Sequence, residues 1–542
     1  VSADGRARSR TITANDGDRA ARRPAVRAVS AVRADGRDPR RVHHAPPAGL
    51  PDAGLLSRRP RVVVAGGGIA GLTAAIALAE RGVAVDLCER RDHLGGRAGG
   101  WTTTLPDGTS VGMSRGFHAF FRQYYNLRAL LRRTDPDLAL LTAVPDYPLL
   151  DAEGRTDTFR DLPRTPPWNA LAFALRSPTF TLRDLLRLNA RAALPLMNVT
   201  VPGTYERLDH LSAEEFLARL RFPDAARHLA FEVFSRSFFA PPDRLSAAEL
   251  AVMFHLYFLG SAEGLIFDVP SVPMHSLWTP LGDLLAALGG RVRLRTAVRA
   301  VRPEPGGFHV DLGGEGARAD AVVLALDVRG LRALVAASPG LGPTDWRRRI
   351  AGLSTAPPFL VHRLWLSRPV AADRPAFLAT GGLAPLDNIS VLERYDREAA
   401  GRARAIGGSV VELHAYAVAA SREETTARLV ERLHEVYPET IRASVAGELS
   451  EWHDDCPLFA PGTFLDRPAV AGPAPGLVLA GDGVRIDLPV ALMERAATTG
   501  WHAANLLLSG WNLAGHPLTT VPLRGRLSPP RRARQMVPER SA

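Results

Sequence analysis

The sequence predicts an α/β fold, a doubly wound sheet interrupted by a discontinuous, mixed helix/sheet domain, and three observations carry that prediction. An apolar run at 62–65 feeds directly into Gly66, Gly68 and Gly71, a GxGxxG set, and then into a helical pattern at 72–80. A second apolar run at 83–87 leads to Glu89, 18 residues after Gly71. Far toward the C-terminus another strand pattern ends in Gly481-Asp482, so the sheet is completed by chain returning from a long excursion. Strand, glycines, helix, strand and acid in that order read as a Rossmann-like unit.

Each part has a physical reason. Gly66 permits the tight turn, Gly68 lets the backbone approach a pyrophosphate, and Gly71 lets the helix pack closely on the strand. The helix aims its N-terminal amides at the phosphates. Glu89 stands where a carboxylate accepts hydrogen bonds from ribose hydroxyls. Nicotinamide and flavin enzymes share this unit, so the discriminating part is Gly95, Gly96 and Arg97, six to eight residues beyond Glu89. Two glycines allow a close approach there, and Arg97 can neutralise a pyrophosphate or a flavin edge. The arrangement resembles the extended fingerprint of the amine oxidase and carotenoid desaturase superfamily, in which the extra loop packs along FAD. The resemblance implies FAD as the cofactor.

Downstream, 101–111 alternates around Pro106-Asp107-Gly108 and reads as a hairpin. The segment from Gly116 to Arg128, GFHAFFRQYYNLR, resembles the GLHxFFxxYxNL stretch of the plant and cyanobacterial type of carotene desaturase. Its Arg122-Gln123 looks like the branch that converts β-carotene rings to aromatic rings, the β-carotene desaturase/methyltransferase or isorenieratene synthase type. Helical patterns follow at 182–196, 212–221 and 246–259, the last two opening with Ser212/Glu215 and Ser246/Glu249 as capping signals. The apolar stretch 247–267 is interrupted by Glu249, His255 and Glu263, so it reads as a buried helix pair lining an apolar pocket rather than a membrane span.

A turn and helix at 273–289 precede strands at 291–301 and 319–326. In the resembled family the strand at 291–301 returns to the FAD domain, and the backbone of the residue matching Val298 bonds adenine. The family's aspartate at Gly481-Asp482 contacts the ribityl chain or the pyrophosphate region. The helix beginning near Pro489 would point its amides at the pyrimidine end of the flavin. Glu494 and Arg495, early in that helix, read as solvated or mutually paired, with a direct catalytic role for Glu494 as the alternative.

The implied organisation is a disordered basic tail at 1–60, FAD-domain segments at 61–130, 281–330 and 466–515, substrate-domain segments at 131–280 and 331–465, and a second basic tail at 516–542. The net charge of +11 belongs to the tails: residues 1–60 contribute +7 and residues 521–542 contribute +5, leaving about −1 for the body. A nucleic-acid-binding face is therefore not expected. Cys88 and Cys456 are the only cysteines, too few for a disulfide framework, and together with the absence of a signal-peptide pattern they fit a reducing cytoplasm. No spacing suits a metal site.

One dinucleotide fingerprint and no second one points to a flavin reduced by the organic substrate, with the electron acceptor left open. The chain contains no lysine, whereas the superfamily's amine oxidases usually keep one water-linked to flavin N5, so amine oxidation is disfavoured. Candidate acid/base groups are few. His118 is one, able to take a proton from a cationic intermediate or to orient substrate, with a structural histidine among Phe117, Phe120 and Phe121 as the alternative. Arg115 reads as a surface residue, with binding of an anionic group or a place beside the flavin as the alternative. The resembled branch implies hydride removal from a β-ionone ring, a methyl shift and further desaturation to an aromatic ring. An apolar isoprenoid substrate implies peripheral attachment to a membrane surface, with the basic tails attracting anionic lipid. The alternatives are a linear carotene or isoprenoid desaturase, and a non-catalytic FAD- and lipid-binding protein.

Overall fold

The computed structural model describes residues 38–179, 187–221 and 236–525. Its nucleotide sheet has five strands, all parallel, in the order Arg291–Arg293, Ala84–Cys88, Arg61–Ala65, Ala321–Leu324, Leu477–Leu479. Helix Ile69–Ala79 covers one face, and the antiparallel meander Ala300–Glu304, Gly307–Asp311, Gly316–Ala319 lies against the other. That double covering is why Val62, Val63 and Val64 are fully buried and why the strand reads as an unbroken apolar run. The helix starts at Ile69, three residues ahead of the 72–80 pattern, and all its residues are buried. Its outer side is taken by the long C-terminal helix Leu492–Gly510.

A second body is built on a seven-stranded sheet in the order Val445–His453, Phe359–Leu366, Ser409–Ala415, Asn388–Val391, Phe377–Thr380, Leu149–Leu150, Thr156–Asp157. Strands Phe359–Leu366 and Ser409–Ala415 are buried at every position. Helix Arg422–Val436 packs Leu429 and Leu433 on one face. Helix Arg397–Ile406 and the hairpin Gly100–Thr104/Ser110–Ser114 close the other. The hairpin, turned at Pro106-Asp107-Gly108, thus links the glycine loops to the second body.

The structure corrects several sequence expectations. The single strand at 291–301 is two, Arg291–Arg293 and Ala300–Glu304, in different sheets. Arg295 takes a left-handed φ of 54° and donates its amide to Arg91 O, while Thr296 N–H donates to Glu89 O, and these bonds draw the chain off the sheet. The strand at 319–326 likewise divides into Gly316–Ala319 and Ala321–Leu324. Residues 38–60, expected within a disordered tail, and 516–525, expected within a basic one, are built into the fold. Val42–His44 pairs with Leu518–Thr520, and Ala53, Leu513, Leu518 and Val521 are buried. The helix at 246–259 ends at Phe254 and continues as a π-helical turn, His255–Leu259. Among the described residues no helix is long and apolar enough to cross a membrane. The helix expected at 182–196 falls partly outside the described residues, and Ala190–Met197 is helical.

Candidate cofactor and active site

Two glycine turns meet at the C-terminal edge of the nucleotide sheet. Gly66 sits at φ 107°, and a Cβ there would lie 2.2 Å from Ala325 O. A Cβ at Gly71 would lie 1.9 Å from Gly66 O, so the helix crosses the turn at a distance only glycine allows. Gly68 differs. Its nearest neighbour would be Gly96 Cα at 3.7 Å, and it caps helix Ile69–Ala79 without a side-chain bond. The helix N-terminus and its first amides therefore face room that a side chain would fill, the arrangement an anionic diphosphate needs. The second turn lies directly across it: Gly95 bridges Gly68, and Gly95 N–H donates to Gly67 O at 2.9 Å. Trp278 buttresses this turn from behind, its Nε1–H on Ala98 O at 2.6 Å.

Glu89 lies just past the second strand, buried, with Gly67 N–H donating to Oε2 at 2.7 Å and Arg91 N–H to Oε1 at 2.8 Å. A carboxylate anchored on both oxygens is held at the mouth of the first turn. Val298 is partly buried in the link between Arg291–Arg293 and Ala300–Glu304. Arg97 and Asp482, expected to act separately on the cofactor, form an ion pair with each other. Gly481, before Asp482, fixes its amide on Thr499 Oγ1 at 2.9 Å. The pair pins the second glycine turn to the C-terminal strand, so both reach one place. These features together fit the diphosphate and ribose of a dinucleotide such as FAD: an uncapped helix end, an open glycine, an anchored acid and a second glycine turn opposite.

The C-terminal helix, expected to begin near Pro489, spans Leu492–Gly510, and no side chain caps it. Glu494 and Arg495 are neither solvated nor paired with one another; each is buried. Glu494 takes the amides of Asn126 and Leu127, both at 2.9 Å, and so holds the start of helix Tyr125–Leu131. Burial pushes its carboxyl up to about 8 in spite of those donors. Arg495 donates to Glu249 Oε2 at 2.7 Å and to the carbonyls of Val490 (3.0 Å) and Asp482 (3.3 Å). Glu249, read from the sequence as a helix cap, instead joins Arg495 to Arg467. Arg115, expected at the surface, is buried and paired with Asp455.

His118 lines a cavity between the hairpin and the second sheet, with Ser114, Arg363, Tyr395 and Glu412 also on its wall. Its Nδ1–H donates to Gly116 O at 2.7 Å, leaving Nε2 as the lone-pair nitrogen. Burial pushes its pKa down to about 4, so the ring is neutral at physiological pH. Aromatic rings run outward from its neighbour Phe117: Phe117 to Phe267 at 5.5 Å, Phe267 to Tyr147 at 4.8 Å, Tyr147 to Phe159 at 4.4 Å and Phe159 to Phe173 at 4.9 Å. Glu412, His414 and Tyr416, absent from the sequence reading, lie on strand Ser409–Ala415 and just beyond it. Their Glu-x-His-x-Tyr spacing puts alternate residues on one sheet face, a signal visible in the sequence once a strand is assumed.

Residues 69–508 match the family described as flavin containing amine oxidoreductase. The chain is 60% identical to a carotenoid phi-ring synthase of Streptomyces griseus over 471 residues, covering 86% of this chain and 91% of that protein. A carotenoid phi-ring synthase of Chlorobaculum tepidum is 27% identical, with 87% and 92% covered. Among solved structures, cyclohexylamine oxidase from Brevibacterium oxydans superposes with a TM-score of 0.60 at 14% identity, covering 84% of this chain and 100% of that one, a likeness of fold alone. The chain belongs to the flavin containing amine oxidoreductase family and is an FAD-dependent oxidoreductase.

Proposed function

We propose that this family member desaturates the ring of a carotenoid, β-carotene in the first instance, with migration of a methyl group to give an aromatic ring. The observation that carries the reading is the 60% identity to a carotenoid phi-ring synthase across 91% of that protein. The aromatic file from Phe173 to Phe117, stacked at its outer half and tilted or edge-on at Phe267, supports it, since such rings give the apolar surface that a long conjugated hydrocarbon packs on.

Gly66, Gly68, Gly71, Glu89, Gly95, Gly96, Arg97, Val298, Gly481 and Asp482 are assigned to hold FAD, within an FAD domain made of 61–130, 281–330 and 466–515. FAD, when bound, supplies the oxidation by accepting a hydride from a ring carbon. The chain's part is to position the ring and to exclude water. His118, neutral and fixed through Nδ1, presents Nε2 either to orient the ring or to receive a proton. Electrons leave the cycle to an acceptor outside the chain.

Pigment analysis after co-expression with a β-carotene pathway tests the reading. Carotenoids with an aromatic ring are the expected product. Conversion only of an acyclic carotene would replace it with the linear desaturase, and hydrogen peroxide release with polyamines would replace it with an amine oxidase. Carotenoid that binds without ever bleaching the flavin anaerobically would leave a lipid-binding protein.

The same substrate calls for peripheral attachment to the cytoplasmic membrane face. Helix Trp168–Arg176 carries a stripe of exposed apolar residues, Trp168 at 60%, Leu171 at 46% and Leu175 at 62%, beside exposed Arg160, Arg164 and Arg176. Phe173 of this helix begins the aromatic file, so the helix adjoins its outer end. Tryptophan and leucine flanked by arginine suit the headgroup boundary of anionic lipid. Replacing Trp168, Leu171 and Leu175 together by serine is expected to lower binding to phosphatidylglycerol vesicles at least about tenfold, measured by sedimentation, while the protein keeps its flavin. Unchanged binding would move the attachment elsewhere.

A further inference from the structure

Desaturation and methyl migration remove a proton as well as a hydride, and the proton needs a base. A hydrogen-bonded row lies on the face of the second sheet that looks toward the hairpin. Tyr416 Oη and His414 Nδ1 are 2.7 Å apart, and His414 Nε2 and Glu412 Oε1 are 2.9 Å apart. Glu412 Oε2 in turn accepts from Arg363 Nε at 2.9 Å and Nη2 at 2.5 Å. An ionised carboxylate can only accept, so His414 carries its proton on Nε2 and offers Nδ1 as acceptor to the Tyr416 hydroxyl. The amide of Phe117 also points at Nε2, but at 3.4 Å it loses to the charge-assisted bond. Burial works against the charge of Glu412, yet Arg363 and His414 outweigh it and hold the carboxyl down at about 2.

The two ends of the row differ. Tyr416 lies edge-on to Phe239 at 5.0 Å, and Phe239 lies 4.6 Å from Phe359. Phe359 in turn sits under the Arg115 guanidinium and packs with Cys456, and the next residue, Pro457, lies 3.5 Å from where a Cβ on Gly483, beside Asp482, would stand. This end is aromatic and adjoins the residues assigned to FAD. Glu412 is on the wall of the cavity that His118 also lines, together with Asp396, Glu398 and Arg402. That end is polar.

We propose that Tyr416 is the group that receives the substrate proton, which leaves His118 to orient the ring, and that His414 and Glu412 act through Tyr416 as positioning residues. The inference rests on the desaturase reading. As hydride removal leaves a cation on the ring, the adjacent C–H bond breaks and its electron pair becomes the new C=C bond. The proton goes to Tyr416 Oη, the former hydroxyl proton goes to His414 Nδ1, and the imidazolium so formed is stabilised by Glu412; once product has left, Nδ1 returns its proton to Tyr416 Oη, which releases the substrate's proton to water entering the site, and the Nε2–H tautomer is restored. No further oxidant is involved, because the hydride accounts for the electron pair. The groups facing His414 are Glu412 and Tyr416 on its own strand, Arg363 from the neighbouring strand, and Arg115 and His118 from the segment after the hairpin.

The test uses holoenzyme in liposomes containing β-carotene. Tyr416→Phe is expected to keep FAD and its visible spectrum, to bleach anaerobically on the first hydride transfer, and to form aromatic product at least about a hundredfold more slowly. His414→Gln is expected to match it, and the double variant to be no slower than either. A readout independent of turnover is the ¹⁵N spectrum of histidine-labelled holoenzyme, where the His414 signals report protonated Nε2 and a hydrogen-bonded Nδ1 that changes in Tyr416→Phe. Product formation by Tyr416→Phe within about threefold of the parent between pH 6 and 9, or an Nδ1–H tautomer at His414 in the parent, would overturn the relay. Failure of the parent itself to bleach with β-carotene would instead remove the desaturase reading.

Discussion

Gly68→Ala is expected to yield a chain as stable as the parent apoprotein but unable to retain FAD, whereas Gly71→Ala is expected to lose both stability and FAD. The two glycines are three residues apart in one motif, yet their surroundings differ. A Cβ at Gly71 would stand 1.9 Å from Gly66 O and 3.3 Å from Ala325 Cβ, both part of the packed turn, so the helix must lift off the sheet. Overpacking of that kind costs about 1–3 kcal/mol. A Cβ at Gly68 meets nothing closer than 3.7 Å, and its φ of −75° suits any residue, so the protein itself does not resist. What the methyl displaces is the ligand, in the one place where the diphosphate must approach the helix amides. FAD affinity should fall about ten- to hundredfold, the scale of 1–3 kcal/mol. The ratio of 280 to 450 nm absorbance after purification, FAD titration of apoprotein, and urea unfolding of the apoproteins separate the cases. Equal loss of stability in both variants would mean that Gly68 serves packing and not the cofactor.

That contrast also marks what the sequence makes legible. The turn from Gly66 to Gly71, the helix after it and Glu89 are local: each bond spans at most about twenty residues, and each residue type is demanded by backbone geometry. The Arg97–Asp482 pair spans 385 residues, and nothing at either position signals that the two charges neutralise each other. The strand at 291–301 fails for a similar reason. Its alternation is real, but the break at Arg295 comes from bonds to Glu89 and Arg91, outside the segment. The tails mislead through averaging. Thirteen arginines in 1–60 hide the pairing of Val42–His44 with Leu518–Thr520 and of Leu50 with Leu513, at the other end of the chain. Ser212/Glu215 and Ser246/Glu249 look identical in sequence. The first forms the reciprocal capping box. In the second, the Ser246 hydroxyl accepts from Ala248 N–H and donates to Asp209, and the glutamate turns inward to two arginines.

Glu249 is accordingly where a single substitution should cost most. Its carboxylate is fully buried, with Arg467 Nη1 on one oxygen at 2.5 Å and Arg495 Nη2 on the other at 2.7 Å. The guanidiniums are themselves boxed in by rings, Arg467 over Tyr205, Phe459 and Phe464, and Arg495 over Phe459. Glu249→Ala leaves two buried cations facing each other across a cavity, and removing one partner of a buried ion cluster costs about 3–5 kcal/mol. The loss should not stop at stability. Arg495 also holds the carbonyls of Val490 and Asp482, so a guanidinium pushed away from Arg467 pulls on the segment that places Asp482 against Arg97. Two outcomes follow: a drop of that size in urea unfolding, and faster release of FAD. Glu249→Leu combined with Arg467→Met should recover part of the stability, because it removes one of the two facing cations along with the carboxylate and leaves Arg495 to the carbonyls of Val490 and Asp482 and the Tyr205 hydroxyl. Arg495 then remains bonded to its two carbonyls, and FAD retention should recover with it. If the double variant regains stability but still sheds FAD, the tether from Arg495 to Asp482 depends on the carboxylate itself; if it regains neither, the cluster matters through its packing on Tyr205, Phe459 and Phe464 more than through its charge.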